Sequence, residues 1–330
     1  MQNRAPRIAI VRLSALGDII NSAIVLQFIK KHYPDSKIEW ITEDVFAPIL
    51  LKHPLLDSIH TLSLKKIKKQ KDFSLLKENI KRLKNLGDFD YIIDMQGLIK
   101  SAVVSRLIGK NTYGFDSKST RESLASYLYK HTCNIAYEEN IIRRNCKVVA
   151  DALDIEISDR DILDKEALFE IQSRPKTLLD GKNIAIIVGA SWHSKIYPKE
   201  QVVKLCELLD AQCHIIWGSE KEYEDAMWIA SHAKNALVTE KMDLKSLLNF
   251  IAHCDLSIGN DTGPTHMAWA MNRASITLFG PTNSRMIYET PINIAIESSS
   301  SVDVKKIDKN DLSIADISPQ LIANRAKGLL

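Results

Sequence analysis

Apolar residues in this chain fall into two alternating patterns: short unbroken runs rich in Ile and Val, and longer stretches repeating at helical spacing. In the first half the runs are RIAIVRL (7–13), KIEWIT (37–42), SIHTLSL (58–64) and FDYIID (89–94). Such runs predict strands buried on both faces, as in a parallel sheet. Between the first two lies DIINSAIVLQFIKKHYP, whose apolar positions Ile20, Ala23, Ile24, Leu26 and Phe28 predict one helix stopped by Pro34. FSLLKENIKRLKNLG is a clearer amphipathic helix, with Leu75, Leu76, Ile80, Leu83 and Leu86 on one stripe and Gly87 at its C-terminal cap. From about residue 121 to 153 the pattern is mostly helical.

The stretch EISDRDILDKEALFEIQSRPKTLLDGKN (156–183) is charged and aperiodic, and a domain junction is expected within it, dividing the chain into 1–170 and 171–330. A second alternating series follows: NIAIIVGAS, a helix over KEQVVKLCELLDA, CHIIWGSE, a helix over YEDAMWIASHA, LSIGND, a short helix PTHMAWAM, SITLFGPT and a closing helix in SPQLIANRAKGLL. Two α/β halves of this kind imply two Rossmann-like domains with a cleft between them and ligands at the C-terminal ends of the strands.

Composition narrows the class. The 330 residues are 45% hydrophobic and 26% charged, ordinary for globular domains with a core in each half. A net charge of +3 is too small to argue for nucleic acid. The first 18 residues lack the apolar stretch of a signal peptide, and no run approaches the roughly 18 apolar residues that span a bilayer, so a cytoplasmic protein is expected. The five cysteines (133, 146, 206, 213 and 254) are scattered without a C-x-x-C, and are expected to be reduced and buried, with no metal site.

The chemistry starts with an oddity. The first strand-like run ends in SALGDIINSA, the place where a dinucleotide fold carries several glycines; here there is one, Gly17, followed by a carboxylate, Asp18. Neither G-x-G-x-x-G nor a Walker sequence occurs, which argues against bound NAD and P-loop phosphoryl transfer. The phosphate candidate is GNDTGPTHMA (259–268): Asp261 or Thr262 can cap the next helix, Gly263 permits close approach, Pro264 suits the first turn, and the free amides there attract an anion. A well-capped helix would look the same, and His266 alone reads as structural. Lys195, in a loop after a strand, can meet a diphosphate or simply be solvated. Glu222 is placed to bind a ribose diol, or to populate an exposed helix start with Glu220 and Glu224. The run KKIKKQK (65–71) reads by default as a solvated loop, and otherwise as a landing site for anionic headgroups or a phosphorylated sugar.

Taken together and in order, SALGDII, DMQGLIKSA (94–102), GFDSKSTRESLAS (114–126), WGSEKE (217–222), KMDL (241–244) and NDTGPTHM (260–267) resemble the lipopolysaccharide heptosyltransferases across nearly the whole chain. The second and third segments are most like the enzyme of the first transfer, heptosyltransferase I. The resemblance implies a GT-B fold, with an acceptor-binding Rossmann-like domain facing an ADP-sugar-binding one. It also implies inverting, metal-independent transfer from ADP-heptose to the Kdo of Kdo-lipid A, with no cofactor and with peripheral contact to the cytoplasmic face of the inner membrane. By position, Asp18 matches the family's proposed general base and Lys195 the diphosphate-pairing residue, both catalytic. Ser191, Lys195, Glu222, Met242, Asp261, Thr262, Gly263 and His266 fall on the donor site. Acceptor binding falls on Lys65, Lys66, Lys68, Gln96 and Arg121. The chain departs from the family where Ala190 and Ser191 replace paired threonines and where lysines replace an arginine-rich acceptor loop. Lysines give point charges rather than bidentate forks. The competing expectations are a heptosyltransferase of a later core step and a non-catalytic two-lobed solute binder.

Overall fold

The computed structural model describes residues 5–330, and the chain divides into two compact units, Met1–Glu170 and Ile171–Leu330. In unit 1, six parallel strands are β1 (Arg7–Val11), β2 (Lys37–Glu43), β3 (Ser58–Leu62), β4 (Tyr91–Asp94), β5 (Thr112–Phe115) and β6 (His131–Cys133), in the sheet order β3-β2-β1-β4-β5-β6. Unit 2 has β7 (Asn183–Ile187), β8 (Gln212–Ile216), β9 (Ala236–Val238), β10 (Leu256–Asn260), β11 (Ala274–Phe279) and β12 (Asn293–Glu297), in the order β12-β11-β10-β7-β8-β9. Counted from its own first strand, each sheet therefore has the Rossmann order 3-2-1-4-5-6.

The apolar runs form these strands because both faces are covered. Ile8, Ala9, Ile10 and Val11 of β1 are all 0% exposed, and Ile184 and Ala185 of β7 likewise. Fully burying an aliphatic side chain of this size contributes about 1.5–3 kcal/mol, so these strands could not be exchanged for polar ones. The four first-half runs are β1 to β4. The helix expected over 18–34 is broken into Leu16–Ser22 and Val25–His32, with the Ala23 N–H shared between the Ile19 and Ile20 carbonyls as the first piece tightens at its end. The mostly helical stretch 121–153 contains a 3₁₀ segment, Ser123–Leu128, the short strand β6 and the helix Ile141–Leu153. Short β5, β6 and β9 carry too few residues for a pattern, and β12 with the helix Leu244–His253 completes what the periodicity left out. The lysine run, expected as a loop, is the helix Leu64–Gln70, its Lys65, Lys66, Lys68 and Lys69 exposed. Lysine is a good helix former, and Leu64 and Ile67 give this helix an inward side. The five cysteines are free and buried, and no described helix is long and apolar enough to cross a membrane.

Candidate active site

In a doubly wound sheet, ligands sit where the strand order reverses, outside the carboxyl ends of the first and fourth strands. Unit 1 reverses between β1 and β4, and the predicted residues Asp18 and Gln96 follow those two strands. Unit 2 reverses between β7 and β10, and Lys195 and the segment 261–266 follow those two.

In unit 1, Asp18 lies in the first turn of the helix Leu16–Ser22 and its Oδ2 accepts the Ala15 N–H at 3.2 Å, so it does cap its helix. Its other oxygen, Oδ1, is 2.9 Å from Arg12 Nη2. The Arg12 side chain is 5% exposed and Asp18's is 23%, so a buried guanidinium backs a carboxylate whose outer edge meets solvent. Arg12 also donates to the Met95 carbonyl. Gln96 ties the same turn down from β4: its Oε1 accepts the Leu13 N–H at 2.9 Å and its Nε2 donates to Ser14 Oγ at 3.3 Å. Gly97 allows the reversal at φ +67°, a conformation a side chain would strain. Beneath it, fully buried Asp94 accepts the Gln96 and Gly97 amides at 2.7 and 3.2 Å and the Tyr129 hydroxyl at 2.7 Å. Burial pushes Asp94 above the usual carboxylate range despite these bonds, and pushes the Tyr129 phenol up as well. Lys100 reaches Ser14 Oγ at 3.1 Å and lies 3.7 Å from Oε1 of buried Glu43.

Arg12, Glu43 and Lys100 were not singled out from the sequence. The available signal was a charge inside or at the end of a buried strand, Arg12 after IAIV and Glu43 after KIEWIT. Lys65, Lys66 and Lys68 are separate from this cluster, on the helix after β3, and Arg121 is exposed in the loop after β5.

Unit 2 uses the reverse charge order. Lys195 closes a 3₁₀ turn after β7 and is 8% exposed, so the solvated lysine is ruled out. Its Nζ lies 2.6 Å from Asp261 Oδ2, which also accepts Thr282 Oγ1 at 2.9 Å, while Oδ1 is 3.1 Å from His266 Nε2. Burial alone would push the Asp261 carboxyl up, but the Lys195 ammonium and the His266 imidazole hold it well below 3.8. The expected cap is not made. Thr262 occupies the N-cap of the helix Gly263–Ala270 without a side-chain bond to it, and Asp261 turns to Lys195. A buried carboxylate gains more from charge-assisted bonds than from an amide, which leaves the helix start uncapped and open to an anion beside an ammonium.

Glu222 accepts the Gly218 N–H at 2.7 Å as the third residue of the helix Glu220–His232. A Cβ on Gly189 would meet its carboxyl at 2.5 Å, so a glycine after β7 is what lets Glu222 lie beside the Lys195 loop. Trp217 Nε1 donates to the Thr239 carbonyl at 2.7 Å, which ties the segment carrying half-buried Met242 to the end of β8. Ser191 is exposed; Trp192 beside it has Lys195 Nζ 5.5 Å and Lys309 Nζ 4.7 Å from its ring centre, a second cation the sequence did not mark. No group of three or more His, Cys, Asp or Glu able to hold a metal occurs among the described residues.

With this geometry in hand, comparison with known proteins decides the family. The family described as glycosyltransferase family 9 (heptosyltransferase) matches residues 78–313. Lipopolysaccharide heptosyltransferase 1 of Campylobacter coli is 39% identical over 98% of this chain and 98% of its own. The chain belongs to glycosyltransferase family 9. The enzyme of the same name from Pseudomonas aeruginosa is 30% identical over 84% of this chain and 79% of its own. In fold, the structure described as E. coli heptosyltransferase WaaC with ADP superimposes with a TM-score of 0.81 at 23% identity, covering 98% of this chain and all of that one. The fold is GT-B, and the protein is a glycosyltransferase.

Proposed function

We propose that this glycosyltransferase moves heptose from ADP-L-glycero-D-manno-heptose to the Kdo of Kdo-lipid A, the first heptose of the lipopolysaccharide inner core. Membership of the family, with two near relatives bearing the number 1, supports the reaction. The observation that carries the mechanism is the open edge of Asp18, backed by buried Arg12.

In the proposed step, the Kdo hydroxyl oxygen attacks the anomeric carbon, the bond from that carbon to the phosphate oxygen breaks, and ADP leaves with the electron pair. The configuration inverts because a single displacement occurs. Asp18 takes the hydroxyl proton on its solvent-facing oxygen, a positioned base contributing roughly 10²–10⁴-fold. Lys195 and the uncapped start of the helix Gly263–Ala270 take up the negative charge that develops on ADP, without a metal ion. The Lys195–Asp261 pair fixes the ammonium before the donor arrives, so little reorganisation accompanies the reaction. Glu222 receives the ribose hydroxyls, and Met242 lines the adenine. On the acceptor side Gln96 and Arg121 meet the Kdo. Lys65, Lys66 and Lys68 meet anionic headgroups on the cytoplasmic face of the inner membrane, each charge near such a surface contributing about 1 kcal/mol.

The test is ADP release by the purified protein given ADP-heptose, with and without Kdo-lipid A. Release on Kdo-lipid A supports the proposal. Release only on an already heptosylated acceptor assigns a later core step, and donor binding without release under any acceptor makes the protein a binder.

A further inference from the structure

One face of unit 1 is used by nothing in the proposed reaction. The helix Ile99–Ile108 and the 3₁₀ segment Ser123–Leu128 pack through Ala102 and Ala125, and Glu122 accepts the Ile99 N–H at 2.8 Å. Flanking that seam, four large apolar side chains face solvent: Tyr127 at 81% exposed, Leu124 at 64%, Val103 at 43% and Ile99 at 41%. Ile99 and Val103 are one α-helical turn apart, and Leu124 and Tyr127 one 3₁₀ turn apart, so each pair runs along one side of its element. Exposed apolar residues scattered singly need no explanation, whereas four on two adjoining elements mark a contact surface.

The surrounding charge identifies the partner's sign. Residues 99–130 hold six Lys and Arg against two Asp and Glu, a net +4 where the whole chain has +3. Both acids are engaged locally, Glu122 on Ile99 and Asp116 on the amides of Lys118 and Ser119 and on Asn134. The position is equally specific. The helix Ile99–Ile108 leaves the Gln96 turn directly, and the lysine helix Leu64–Gln70 follows β3 on the other side of β1. Four strand spacings of about 4.8 Å separate β3 from β5, so the lysines and the apolar face stand roughly 20 Å apart with the Asp18 turn between them.

We propose that this face is a bilayer-docking surface: Ile99, Val103, Leu124 and Tyr127 enter the headgroup region of an anionic membrane, and the basic residues around them meet the phosphates. The arrangement supplies both apolar burial and charge, and Tyr is a residue suited to the interface. Docking there would bring the Asp18 turn to the membrane surface. The inference rests on the acceptor being lipid-linked.

The experiment is flotation of the full-length protein with vesicles of phosphatidylethanolamine and phosphatidylglycerol containing no acceptor. Turnover is measured in parallel on a soluble, deacylated Kdo acceptor. Leu124→Ser combined with Tyr127→Ser is expected to weaken vesicle binding roughly tenfold to hundredfold while soluble-acceptor turnover stays unchanged, which also shows that the variant is folded. In a second variant, Tyr127→Trp, binding is kept and the indole emission moves to shorter wavelength on adding vesicles. Flotation of the double variant like the wild type overturns the proposal. So does a loss of binding confined to vesicles that carry lipid-linked acceptor, which would place the acceptor's own chains on this face. A wild-type dimer that becomes monomeric in the double variant would place a second copy of the chain there, and also overturns it. If the wild type turns over no soluble acceptor, the functional proposal fails, and the flotation result still decides the surface.

Discussion

The turns after β1 and β10 are built from the same parts and do opposite things with them. Each holds an aspartate at the start of a helix, and each aspartate is paired with a cation, Arg12 at 2.9 Å and Lys195 at 2.6 Å. In unit 1 the cation is buried and the carboxylate is open. In unit 2 the Asp261 side chain is 4% exposed and is saturated by Lys195, His266 and Thr282, leaving the ammonium as the group that borders the helix start. The difference separates a carboxylate that can take a proton from one that organises cations. A buried, saturated acid well below the usual carboxylate range has neither a free lone pair nor the basicity for proton transfer, whereas an exposed edge has access.

The strongest way to break this comparison is Asp18→Asn, which keeps a capping oxygen and removes the base. Turnover is expected to fall about 10²–10⁴-fold with a change in unfolding free energy of less than about 1 kcal/mol. A fall of less than about tenfold, measured by ADP release, would sink the base assignment. Lys195→Met should act on the opposite axis as well. Removing one partner of a buried pair strands Asp261, at a cost of about 3–5 kcal/mol in urea unfolding, and ADP binding measured by calorimetry should weaken in parallel. Unchanged stability would mean that Asp261 is less dependent on Lys195 than the geometry implies.

A pH series sharpens the contrast further. Because Asp261 titrates below 3.8 in the folded protein, it binds fewer protons there than in the unfolded chain. Its stabilisation is therefore fully present above that value and lost as pH falls through the folded pKa. The stability gap between wild type and Asp261→Asn should close only below about pH 4; a gap already closed at pH 6 contradicts the ionised pair. The smallest effect is expected from Gly189→Ala, whose Cβ would sit 2.5 Å from the Glu222 carboxyl. Displacing that side chain should raise the donor KM about threefold to tenfold with kcat little changed, the loss of one hydrogen bond.

Much of this was open to a reader of the sequence. Buried parallel strands announce themselves as Ile and Val runs, because no polar residue survives on either face, and RIAIVRL, KIEWIT, NIAIIVGAS and LSIGND each became a strand beside a switch point. The alternation predicted two α/β halves, and the motif SALGDII drew attention to Asp18 before any geometry was known. Three-residue strands such as β6 and β9 stayed hidden, because a period cannot be read from three positions.

What the tertiary structure alone decided was partnership. That Asp261 would leave its helix to hold Lys195, 66 residues away in the chain, follows from the folded neighbourhood of β7 and β10 and from the cost of burying a lone charge. Arg12, Glu43 and Lys100 acquired significance in the same way, since parallel strands bring their carboxyl ends to one edge from 88 residues of separation. Residue type and periodicity determined which segments would be strands and where chemistry was possible; which charges meet, and which remains open, depends on contacts between distant segments that no local pattern encodes.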